Sequence, residues 1–141
     1  MTLTVQYGQP FLKYLVKLSV YSQDGYTQPT LANDLLFVAR KAELTKKESL
    51  TVATIYNWIR GSTIPLWAQF AAFELAVRHG WRIVDSNDLL QSLWIVFKHD
   101  KVTTEQAARN AFIRRGLTIP APLRDDVTQH LEMLMRGRKN G

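Results

Sequence analysis

Apolar residues recur at intervals of three and four along most of this chain, the spacing that lines one face of a helix. Phe11, Tyr14, Leu15, Leu18 and Tyr21 share such a face after Pro10, which predicts a first helix ending before the turn sequence "SQDGYTQP". A second helix is expected to start with Thr30 as its N-cap and to turn Leu31, Leu35, Leu36, Val38, Ala39 and Ala42 inward. The polar stretch "TKKES" at 45–49 reads as a connection. A third helix follows over 51–60, capped by Thr51 and ended by Gly61, and a fourth runs from Pro65 to His79 and stops at Gly80. Farther on, Ser86 is placed to cap a fifth helix through Lys98. Thr103 with Gln106 matches a capping box for a sixth that ends at Gly116, and "TIPAP" leads into a seventh from about Leu123 to Arg136. Period-two alternation is confined to "TLTVQ" near the start and "WRIV" at Trp81–Val84, too little to build a sheet. The expected fold class is all-α. Residues 1–80 and 81–141 differ in character across Gly80–Ser86, and a core shared between the two parts stays open because about 60 residues alone make a marginal one.

Composition narrows the classes. With 46% hydrophobic and 21% charged residues the chain is no disordered tail, and the absence of cysteine excludes disulfide scaffolds and thiolate metal sites. The longest apolar runs, "LWIVF" and "LWAQFAAFELAV", fall short of the roughly 20 residues a membrane span needs. "MTLTVQYGQP" lacks the basic start and apolar core of a secretion signal, so a cytoplasmic location is expected. The net charge of +6 favours an anionic partner such as nucleic acid. The excess is spread evenly, with eight cations against five anions up to residue 80 and ten against seven beyond it. Two clusters stand out: Arg40, Lys41, Lys46, Lys47 and Arg60 around the third helix, and Arg114, Arg115, Arg136, Arg138 and Lys139 near the end. A cation in the last turn of a helix also offsets the helix dipole, which is the plainer account of each.

The stretch "LTVATIYNWIRG", Leu50–Gly61, carries the most specific pattern. At 3.6 residues per turn Leu50, Ile55, Trp58 and Ile59 gather on one side, and Thr51, Val52, Ala53, Tyr56, Asn57 and Arg60 are left toward the other. The major groove of B-DNA, about 12 Å wide, admits one helix, with basic groups beside it meeting phosphates. Small groups at Thr51 and Ala53 permit close approach, Asn57 matches the donor–acceptor pair of adenine, and Arg60 matches guanine or a phosphate. At Leu50, Thr51, Thr54, Ile55, Trp58 and Gly61, with Pro65 leading into the next helix, the sequence resembles the lambda-repressor-like (Cro/repressor) helix-turn-helix family of bacteria and their phages. The resemblance implies a helix-turn-helix bundle, here extended by about three C-terminal helices, with Thr51, Val52, Ala53, Tyr56 and Asn57 facing DNA and Arg60 near the backbone. Lys46 and Lys47 join them as expected DNA contacts. Where the family has a tight glycine turn, this chain has Ser49 and the longer "TKKES". "TIYNWIRGSTIP" is also similar to excisionase-like proteins, but a helix follows Pro65 where those have a strand and wing.

No other constellation rivals it. His79, His99 and His130 stand apart without ligand spacing, no phosphate loop or dinucleotide fingerprint occurs, and Asp125 and Asp126 suit a helix start. An enzyme, a metal and a cofactor are therefore not expected. Trp67, Trp81, Trp94, Phe70, Phe73 and Phe97 are the candidate aromatic core. The run Trp94, Ile95, Val96 covers more of a helix than one neighbour needs, so Trp94, Ile95 and Phe97, with Leu131 and Leu134 of the last helix, are the expected seam of a homodimer. Two copies would set two reading helices about 34 Å apart on double-stranded DNA. The expected function is a sequence-specific transcription regulator, and the competing reading is a helical adaptor or inhibitor that binds another protein.

Overall fold

The computed structural model describes residues 6–21 and 27–140, with side chains described as far as residue 137. It consists of two compact units, Met1–Trp81 and Arg82–Gly141. Among the described residues every element is helical: α1 (Gln9–Tyr21), α2 (Gln28–Lys41), α3 (Val52–Ile59), α4 (Leu66–Arg78), α5 (Ser86–His99), α6 (Glu105–Arg114) and α7 (Asp126–Asn140), with a 3₁₀ turn at Ala121–Leu123.

In the first unit α4 is the central element and packs against both α1 and α2. Its run of alanines, Ala68, Ala71, Ala72 and Ala76, is buried and lets neighbouring backbones come close, while Phe70, Phe73 and Leu75 fill the space between. Phe11 of α1 meets Phe73 and Trp81 edge-on, with ring centroids 5.1 and 4.9 Å apart. Trp81 and Ile83 are buried and Arg82 and Val84 exposed, so the alternation in "WRIV" is real. Among the described residues no strand lies beside it, and the segment is an extended connection; Thr2–Val5 of the other strand candidate lie outside the described residues. The second unit packs α5 against α6 and α7, around Leu89, Leu93, Phe112, Val127 and Leu131. The aromatic residues of the expected core are thus divided, Trp94 and Phe97 belonging to the second unit and the others to the first.

Several boundaries move by one to three residues, each for a capping reason. Thr27, not Thr30, caps α2, its hydroxyl accepting from the Thr30 amide at 3.3 Å, because Pro29 sits readily in a first turn. Asp85, not Ser86, caps α5 in a full capping box with Asp88. Thr104, not Thr103, caps α6, and Gln106 reaches Asn110 within the helix instead of closing a box. On α1 the buried set is Phe11, Leu12 and Leu15, while Tyr21 is exposed at the helix end; Ala42, expected inside α2, is its exposed C-cap.

Candidate nucleic-acid interface

A helix of eight residues cannot hold itself together in water, so α3 depends on what it is tied to. Its ends are closed locally. The Thr51 hydroxyl accepts from the Thr54 amide at 3.2 Å, and Gly61, at φ 126°, lets the Ser62 amide reach back to the Asn57 carbonyl at 3.0 Å. Only glycine enters that conformation without a Cβ penalty. Its inner side is anchored by Ile55 and Trp58, 1% and 6% exposed, with the Trp58 ring edge-on to Trp67 at 5.9 Å. Leu50 and Ile59, assigned to the same side, are half-buried.

Three glutamines complete the attachment. Gln9 Nε2 donates to the Ile59 carbonyl and Gln6 Nε2 to that of Gly61, both at 2.7 Å, and Gln28 Nε2 donates to the Tyr56 hydroxyl at 2.6 Å. Sequence reasoning missed all three. They act across 28 to 55 residues of chain, and a polar residue near a helix start carries no periodicity that would announce such a reach.

The outer side answers to the sequence pattern. Thr51, Ala53, Asn57 and Arg60 are exposed, and Val52 and Tyr56 are half-buried. The Arg60 guanidinium lies 5.9 Å from the centre of the Tyr56 ring, at the outer limit of a cation–π contact. Lys46 and Lys47 are exposed in the connection that precedes α3. That connection spans 42–51, well beyond the roughly 3–4 residues that join the helices of a helix-turn-helix motif. α2 closes through a left-handed residue, Glu43 at φ 61°, with the Leu44 amide returning to the Ala39 carbonyl at 2.9 Å.

The two cation clusters have different surroundings. Arg40, Lys41, Lys46, Lys47 and Arg60 are all exposed, and none is in an ion pair among the described residues. In the second cluster Arg115 is largely buried and donates to Asp100 at 3.2 Å, Arg114 lies 4.0 Å from the same carboxylate, and Arg136 is 3.8 Å from Glu132. Asp100 caps the C-terminal end of α5, an unfavourable place for an anion, and its contacts to His99 and Arg115 offset that cost. Arg115 thus serves the fold, and Arg114 and Arg136 sit exposed beside carboxylates, while the side chains of Arg138 and Lys139 lie outside the described residues; the first cluster is exposed throughout.

The expected dimer seam requires correction. Ile95, Phe97, Leu131 and Leu134 are buried by the chain itself, since α5 and α7 pack on one another, and only Trp94 is half-exposed, beneath the Lys98 ammonium at 4.9 Å. The three consecutive apolar residues of α5 are explained by its two neighbours, α6 and α7.

Among the described residues no three His, Asp or Glu side chains gather where a metal could bind, and no helix is long and apolar enough to cross a membrane. His130 Nε2 lies 3.0 Å from the Ser86 hydroxyl. Burial holds its pKa below the ordinary imidazole value, an effect that nearby Asp126 opposes. Neither models of protein families, nor curated proteins, nor solved structures provide a match to this chain.

Proposed function

We propose that this chain is a sequence-specific DNA-binding regulator, of the kind bacteria, phages and mobile elements use in the cytoplasm, and that it reads the major groove of duplex DNA with α3. The observation that carries the reading is the division of α3 into an anchored side, Ile55 and Trp58, and an exposed side that offers Thr51, Ala53, Asn57 and Arg60. Ala53 and Val52 suit contact with thymine methyls, Asn57 suits adenine, and Arg60, Lys46 and Lys47 suit phosphates. The role is binding rather than catalysis. Reading an operator as a homodimer would call for a seam other than the four buried residues named above.

The test is fluorescence anisotropy with duplex DNA selected from a random pool, repeated across salt. Three phosphates neutralised per protomer by Lys46, Lys47 and Arg60 give a log–log slope near −2.7, or about fortyfold weaker binding between 50 and 200 mM salt. Arg60→Ala lowers that slope by about 0.9, whereas Asn57→Ala weakens binding to the selected sequence alone. Recovery of no sequence preference, or binding indifferent to salt, overturns the proposal. The adaptor reading is favoured by one feature, Phe37, which is 64% exposed on α2. It predicts Phe37-dependent protein binding that salt scarcely changes.

A further inference from the structure

The second unit carries a shallow groove, lined by Arg109, Phe112, Ile113, Leu117, Ile119 and Arg124. It lies where the end of α6 meets the connection to α7. Phe112, Leu117 and Ile119 are buried and supply an apolar floor, while Ile113 beside them is 70% exposed. Ile113 thus extends the apolar area of the recess to its rim.

Size and charge narrow the occupant. The groove encloses about 190 Å³, below the roughly 300–1,000 Å³ of sites that enclose small molecules, so it suits one or two apolar side chains carried by something larger. Both ionisable residues in its lining are arginines. Arg109 is held by Glu105, with Nη2 at 2.6 Å and Nε at 3.1 Å from Oε1, and this contact keeps the Glu105 carboxyl below its usual range. Arg124 is exposed and is in no ion pair among the described residues. A cation left unpaired beside an apolar floor complements an anion joined to an apolar group. The chain's own C-terminal stretch, with Arg136, Arg138 and Lys139, has the wrong sign, and a nucleic-acid backbone has nothing to place on Phe112 and Ile113.

We propose that this groove docks an acidic segment of a partner protein, which sets one or two apolar side chains against Ile113 and a carboxylate against Arg124. The inference is independent of α3 and of DNA binding.

A phage-displayed library of random twelve-residue peptides, panned against the full chain, tests it. Enriched peptides should combine Asp or Glu with Leu, Phe, Ile or Met, and a synthetic peptide made from them should bind roughly tenfold more weakly to Ile113→Asp. Against Arg124→Glu the enriched composition should shift toward Lys and Arg. Both side chains are exposed, so both variants should keep the helical circular dichroism of the parent. No enrichment, enrichment that survives both substitutions, or enriched peptides without acidic residues overturns the proposal. Sedimentation supplies a second arm: self-association abolished by Ile113→Asp would give the groove to another copy of this chain and overturn it equally.

Discussion

Replacing Trp58 with alanine tests whether α3 is held in place by its anchor. Trp58 is 6% exposed, so nearly all of its side chain leaves water on folding. Roughly 200 Å² of buried indole at about 25 cal/mol per Å² corresponds to about 5 kcal/mol as an upper estimate. The edge-on contact with Trp67 at 5.9 Å adds about 1 kcal/mol, and the methyl of alanine recovers part of the total. Large-to-small substitutions of buried tryptophan cost about 3–5 kcal/mol, so about 4 kcal/mol is expected here. Against a total stability of about 5–15 kcal/mol that is a large fraction. The melting temperature of a unit of this size should fall by about 16–30 °C. Urea unfolding followed by circular dichroism gives the magnitude. Amide hydrogen exchange gives the location: protection at Tyr56–Ile59, whose helix has too few residues to persist alone, should be lost at lower urea than protection in α4. A loss of less than about 1 kcal/mol, or unchanged exchange over α3, would refute the anchoring argument.

Glu43→Gly should stabilise the first unit. Relief of a left-handed residue at φ 61° is worth about 1–2 kcal/mol, of which the freer unfolded chain takes back about 0.4–1, and thermal melting should show a rise of several degrees. Phe11→Ala removes a fully buried ring from two aromatic contacts and should cost about 3–5 kcal/mol in denaturant unfolding; a cost near zero would contradict the cluster around Trp81. His130 makes stability fall in mild acid. Its folded pKa lies below the ordinary 6.5, so the unfolded chain takes up the proton first; stability declines as pH drops through about 6.5, and the loss is complete below the folded value. Urea midpoints measured from pH 8 to 5 should show this decline, and His130→Asn should flatten it.

The features legible in the residues alone are local ones. Intervals of three and four made α1 to α7 legible, because a helix repeats every 3.6 residues and must bury one face. Gly61 and Thr51 marked the ends of α3 because left-handed backbone and N-caps select those residue types. Cap positions elsewhere shifted because several neighbouring residues could do the same work, as with Thr27 and Thr30 or Asp85 and Ser86.

Periodicity says that a face is apolar without saying what covers it. It took the packing to show that Ile95, Phe97, Leu131 and Leu134 are covered within their own unit, that Phe37 and Ile113 are exposed among the described residues, and that Phe11 is the hub between Phe73 and Trp81. Charge behaves likewise. Arg60 and Arg115 look alike in the sequence, yet among the described residues one is exposed without an ion pair and the other is half-buried against Asp100. The glutamines that clasp α3 were invisible for the same reason: a hydrogen bond across 50 residues, such as Gln9 to Ile59, is set by the path of the backbone, and no local pattern encodes that path.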